Sequence, residues 1–157
     1  DIKAENAEGL KIVLPESIRN NRHFEHYKIA LNIFKKNIYF GKGFKSFRIE
    51  SYNQENFDEK MKFSIGHGAT HPHQLHFELL SELGIIGYFL IISNLLYIIF
   101  RQIHVDKSFL QKSSILFLIA SLVPMLPSGS FFTSFSATIF FINYSFLIKS
   151  NIIDRKY

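Results

Sequence analysis

The chain has 157 residues, with 18 Lys+Arg against 13 Asp+Glu and no cysteine. That length suits one ordinary domain. The missing cysteines exclude disulfide frameworks, thiolate metal sites and cysteine nucleophiles. Hydrophobic residues make up 47%, and 18 of them are phenylalanine, which excludes a disordered chain.

The two halves differ. Residues 1–78 hold 12 Lys+Arg and 10 Asp+Glu, whereas residues 79–157 hold 6 and 3. Leu83–Phe100 carries no charge over 18 residues, and Ser113–Ile148 carries none over 36. Uncharged stretches of that length read as membrane-embedded, and the first half as a polar region outside the bilayer. The expected fold is an all-α integral membrane protein whose C-terminal spans follow a mixed, largely helical loop. Because the first half must sit beside a membrane that only the second half enters, the chain reads as a C-terminal fragment of a longer polytopic protein. The charge excess is small, which argues against a nucleic-acid partner.

In chain order, Leu10–Leu14 is a short apolar run stopped by Pro15, a strand or a loop. Over 22–38, Phe24, Tyr27, Leu31, Phe34 and Ile38 recur at steps of 3 or 4, which predicts an amphipathic helix. It packs on its own domain, lies on a lipid surface, or does both. Gly41-Lys42-Gly43 ends it, since glycine allows the positive φ of a C-cap and turn. This glycine turn is too short to be a phosphate loop. Residues 51–70 read as an irregular loop.

A second helix is predicted to start near Pro72, with Thr70 or His71 as N-cap. Leu79–Phe100 then spans about 33 Å, enough to cross the hydrocarbon core. The 36-residue uncharged stretch is too long for one span, and Pro127-Ser128-Gly129-Ser130 breaks it. It reads as a hairpin of Phe109–Leu126 and Phe131–Ile148. The expected organisation is therefore a loop region over 1–78, a span over 79–100, a loop over 101–112, a transmembrane hairpin over 113–148 and a tail over 149–157. The 101–112 loop and the tail are both basic, and three spans put them on one side. The positive-inside rule makes that side cytoplasmic, so residues 1–78 face the periplasm.

The densest polar cluster runs from His67 to His76 and holds four of the seven histidines. Histidine carries protons near neutral pH and ligates metals. His71 with His73, or His73 with His76, has ligand spacing. No H-E-x-x-H arrangement is present, only Glu78 and Glu82 supply carboxylates nearby, and no metal site is assigned. A solvated His-rich loop is the plain alternative. If the helix begins near Pro72, His73, His76, Phe77, Leu80 and Gly84 share a face. Gly84 and Gly87 would let a neighbouring helix approach closely. His73 would then project from the first turn into a cavity at the outer interface.

Thr70-His71-Pro72-His73-Gln74 followed by Leu79-Leu80-Ser81-Glu82-Leu83-Gly84-Ile85-Ile86-Gly87 resembles the signature of the O-antigen ligase/polymerase superfamily. Upstream, Tyr27-Lys28-Ile29-Ala30-Leu31 and Ile38-Tyr39-Phe40-Gly41-Lys42-Gly43-Phe44 are similar to that family's aromatic–basic–x–Ala–Leu segment and its glycine turn. Ile38 stands where the family often has proline. The likeness covers residues 19–148.

The resemblance implies a GT-C-like glycosyltransferase of the bacterial inner membrane. Such an enzyme takes a glycan from an undecaprenyl-pyrophosphate carrier on the periplasmic side. It passes the glycan to an acceptor hydroxyl, on a lipid A core sugar for ligases, on another repeat unit for polymerases, or on a protein side chain. Membrane lipids surround it, and no metal or other cofactor is implied. A departing pyrophosphate gathers negative charge, and arginine offers an always-charged fork for its oxygens. Arg22 is the expected phosphate ligand, with Arg19 and Arg48 as alternatives. His73 matches the family's key histidine, as a general base on the acceptor hydroxyl or as a hydrogen-bonding partner of the pyrophosphate. Gln74 is a hydrogen-bonding neighbour, His71 orients the loop, and Glu82 caps or bridges helices. A reading from another class is a non-catalytic membrane transporter or metal-binding protein.

Overall fold

The computed structural model describes residues 22–57, 68–103, 108–124 and 128–153. The run at 10–14, Arg19 and His67 lie outside them. Among the described residues every regular element is helical. The elements are α1 (Arg22–Lys36), α2 (Phe47–Glu50), a 3-10 turn (Gln54–Asn56), α3 (Leu75–Ile103), α4 (Phe109–Ser121) and α5 (Ser134–Ile153). By length and composition α3 can cross a membrane, and α4 and the Phe135–Ile148 part of α5 are shorter apolar helices.

Two cores hold these elements. Leu95 and Ile99 of α3 meet Ile115 and Leu118 of α4 and Phe140 and Leu147 of α5. Polar bonds pin the same bundle: Gln102 Nε2 donates to Leu147 O at 3.1 Å and Asn94 Nδ2 to Tyr144 Oη at 3.1 Å. In the other core, Ile29, Ala30 and Ile33 of α1 close on Phe47, with Phe77 of α3 at the edge. The Tyr27 and Phe77 rings stack at 4.7 Å.

The amphipathic helix ends at Lys36, two residues short of the predicted Ile38 and ahead of the glycine turn, and it buries a different face. His26, Tyr27, Ile29, Ala30 and Ile33 are buried, whereas Phe24, Leu31 and Phe34 are half-buried and Ile38 is exposed. The face was set by packing on Phe47 and on Phe77 of α3 rather than by the largest apolar side chains. The 3-10 segment is tied to α1 by Asn32 Nδ2 to Asn56 O (3.0 Å) and by Lys36 Nζ to Glu55 O (2.8 Å).

α3 begins at Leu75, three residues after the predicted Pro72. His73 sits at φ 59°, a left-handed conformation that cannot open a right-handed helix. The N-cap is Gln74, whose Oε1 accepts from Phe77 N at 3.0 Å. α4 stops at Ser121 instead of Leu126, as Pro124 disfavours helical geometry in the residue before it. α5 starts at Ser134 and continues to Ile153, past Ile148.

Nor is α3 one unbroken rod. Gly84 sits at φ 67°, ψ −171° and splits it. A break of this kind orphans backbone groups on both sides. The Ile38–Gly43 turn pairs them: Ile85 N donates to Ile38 O (2.8 Å) and Ile86 N to Tyr39 O (3.2 Å). In return, Lys42 N donates to Ser81 O (3.0 Å) and Gly43 N to Glu82 O (2.9 Å). Gly84 was expected to admit a neighbouring helix; it admits the backbone of this turn. A Cβ on Gly84 would collide with Gly41 N, and a Cβ on Gly41 would collide with the backbone of Glu82. The Glu82 carboxylate completes the clasp by accepting from Lys45 N (2.7 Å) and Phe47 N (3.2 Å).

The clasp predicts a graded glycine series. Gly43 is also at positive φ, 115°, but a Cβ there meets nothing within 4 Å. Gly43→Ala should therefore cost only backbone strain, about 1–2 kcal/mol. Gly84→Ala and Gly41→Ala add a backbone collision and should each cost more than about 4 kcal/mol, a size reserved for specific disruptions. Thermal unfolding of the detergent-solubilised protein ranks them, and equal losses at all three positions would disprove the clasp. Glu82→Ala leaves the buried Phe47 N–H and the part-buried Lys45 N–H without their acceptor. It should destabilise by about 1–3 kcal/mol for each, measured in the same assay, with Glu82→Gln losing less because its amide oxygen still accepts.

Candidate functional site

Three segments converge on His73. The first turn of α1 brings His23 and His26, three apart and so on one face. The linker before α3 brings His71 and His73. The turn after α4 closes from below, with Ser128 N donating to His73 O at 2.8 Å.

The rings are in contact. His73 lies 4.8 Å from His23, edge to face, and 5.5 Å from His26, stacked. His71 is 4.0 Å from His73. One ring nitrogen from each of His23, His26 and His73 falls within 4.8 Å of the others. His26 is buried, and His23, His71 and His73 are half-buried.

Crowding imidazoles in a partly dry site favours the neutral form. Burial first, then the nearby His73, His26 and His23, pushes the His71 pKa down to about 4. Burial and His23 also lower that of His73. At neutral pH His71 is thus an uncharged imidazole with a lone pair, and the shift at His73 runs the same way. Thr70 Oγ1 lies 2.9 Å from His71 Nδ1 and fixes that ring.

The other expected site residues are placed as follows. Arg22 is the first residue of α1, adjacent to His23. Arg48 is exposed on α2. Gln74 is buried and spends its side-chain oxygen on capping α3. His76 does not join the cluster, so a His73–His76 ligand pair does not form. Its Nε2 lies 2.9 Å from Leu122 O, and its Nδ1 lies 3.0 Å from Tyr88 Oη. A carbonyl only accepts, so Nε2 carries the proton and Nδ1 accepts from the tyrosine. His76 joins α3 to the end of α4.

Glu78 supports the site from one turn below. Its carboxylate accepts hydrogen bonds from Ser130 Oγ and, at 2.8 Å, from Phe131 N. Glu78 and Ser128 together lock the turn after α4 to the segment carrying His73. Beneath that turn is an apolar cavity of about 320 Å³, lined by Leu75, Phe117, Phe131, Phe135 and Phe140 among others.

His23 and His26 were missed by the sequence reading, although His-x-x-His on a predicted helix was an available signal. What the spacing could not reveal was that this helix end packs against the His71–His73 linker.

The O-antigen ligase family model matches residues 10–92, more than half of the chain. No curated protein and no solved structure matches. The match includes the glycine clasp, the first turn of α1 and the linker with His73, which are the parts that build the cluster. This chain belongs to the O-antigen ligase family.

Proposed function

We propose that the chain carries the catalytic residues of an inner-membrane glycosyltransferase of the O-antigen ligase type. It moves a glycan from an undecaprenyl-pyrophosphate carrier to an acceptor hydroxyl during lipopolysaccharide or surface-polysaccharide assembly. The family supplies the coarse activity, ligase- or polymerase-type glycosyl transfer. The observation that carries the finer reading is a shared location: Arg22 opens the same helix end that presses His23 and His26 against His73.

The reaction asks for two groups. The bond between the glycan's anomeric carbon and the pyrophosphate oxygen breaks, and the electron pair leaves with the pyrophosphate. Arg22 meets that growing charge with a fixed guanidinium. Arg19 and Arg48 are secondary phosphate contacts. The acceptor oxygen forms the new bond to the anomeric carbon, and His73 takes its proton. The lowered pKa of His73 suits this role, since a base must begin unprotonated. His71 orients the loop, and Gln74 holds the segment to α3.

The proposed topology keeps the expected three spans, with residues 1–78 in the periplasm; among the described residues α3 is long and apolar enough to cross a membrane by itself. Exposed apolar residues on α3, such as Phe89, Leu90 and Phe100, suit lipid or further helices. The bond from Ser128 N to His73 O supports it too, because three spans bring that turn to the end of the bundle that carries the histidine.

His73→Asn is the informative variant, since asparagine tolerates the left-handed backbone and the fold should survive. Glycan transfer in membranes or purified protein should fall at least 100-fold, in the range ascribed to a general base. Arg22→Lys should lose more than 10-fold and Arg22→Ala more still, as a point charge replaces a bidentate fork. Transfer that survives both changes refutes the reading. The product separates the acceptors: glycan on a lipid A core marks a ligase, and lengthened carrier-linked glycan marks a polymerase.

A further inference from the structure

We infer that His23, His26 and His73 form a binding site for a zinc-class divalent metal ion, and that its occupancy reversibly inhibits transfer. The regulatory half rests on the function proposed above for His73; the binding half rests on geometry alone.

Three imidazole nitrogens from two separate segments already lie within 4.8 Å of one another. Around a tetrahedral zinc, with Zn–N of about 2.0–2.1 Å, such nitrogens stand about 3.3 Å apart. The required closure is between one and two ångströms, within reach of small side-chain rotations. His23 and His26 need no backbone change, since residues three apart on α1 already face one way. His73 is presented by a left-handed backbone, a costly conformation usually retained where a side chain must be aimed.

The donor set selects the ion. Imidazole suits zinc, cobalt, nickel and copper, whereas magnesium and calcium ask for oxygen ligands. Unprotonated imidazole is the form that ligates. Three protein ligands leave a fourth position for water or a phosphate oxygen.

The consequence concerns the lone pair. A His73 nitrogen bonded to a metal cannot also accept a proton from an acceptor hydroxyl. Metal binding and general-base action at His73 are therefore mutually exclusive, and free metal in the periplasm would set the active fraction.

The test uses the purified full-length protein in detergent. Equilibrium dialysis with Zn²⁺ should give one ion per chain, and Co²⁺ should show the intense visible bands of a tetrahedral site. His26→Gln and His23→Gln should each weaken binding on the order of 100-fold, at or beyond the 10–100-fold typical of a lost supporting partner. Both variants should raise the Zn²⁺ concentration for half-inhibition of transfer by a similar factor, each relative to its own metal-free rate. Two variants guard against one failing to fold, and melting temperature with and without Zn²⁺ provides a readout independent of activity. No bound ion, or binding unchanged in both variants, overturns the site. Binding that leaves transfer unaffected or raises it overturns the inhibition. If His73→Asn transfers normally yet abolishes metal binding, the site stands and the catalytic reading fails.

Discussion

The architecture depends on a backbone-to-backbone clasp between two glycines. Gly84 breaks α3, and the turn from Ile38 to Gly43 fills the break with four reciprocal hydrogen bonds. Exposed N–H and C=O groups inside an apolar helix would be costly anywhere, and most of all near lipid. The clasp removes that cost and fixes how α1 sits on α3. Because His23 and His26 ride on α1 and His73 rides on the segment entering α3, the same clasp sets the spacing of the imidazoles. Glu82 reinforces it by satisfying Lys45 N and Phe47 N from inside the break.

A second carboxylate does the equivalent work for the helical hairpin. Glu78, one turn above Glu82 on α3, holds Ser130 and Phe131 in the turn before α5. Ser128 adds its bond to His73 O, and His76 reaches Leu122 O at the end of α4. Four polar contacts thus fasten the end of α4 and the hairpin turn to the histidine linker and the start of α3, while apolar packing fastens the rest of the bundle. The two glutamates are buried structural acceptors, which accounts for acidic residues in a stretch that is otherwise so apolar.

Much of this was legible in the residues. The 3-4 spacing located α1, and the Thr-His-Pro-His-Gln run identified the linker and the family; the glycine pair, read as the end of α1, lies beyond its last residue Lys36 and builds the clasp instead. Glu82 was read as a bridging residue, as the structure has it. The rest needed tertiary information. Within an apolar run, Gly84 reads as a site of helix contact, because nothing local announces that a distant turn will supply the missing hydrogen bonds. His73 looked like a first-turn residue because proline usually opens a helix, yet the left-handed backbone at His73 delays the start to Leu75. The pairing of His23 and His26 with His73 links residues about fifty apart, beyond the reach of periodicity.

The break in α3 also divides labour by length. Below Gly84, Ile85–Ile103 is 19 residues, about 28 Å of helix and close to the thickness of a hydrocarbon core. Above it, Leu75–Leu83 is a stub of 9 residues, about 13 Å long. In the proposed topology the lower rod alone suffices as an anchor, and the stub stands clear as a pedestal. The imidazoles would then work at the level of lipid headgroups, where a carrier's diphosphate resides, with the clasp holding pedestal and rod together across the break.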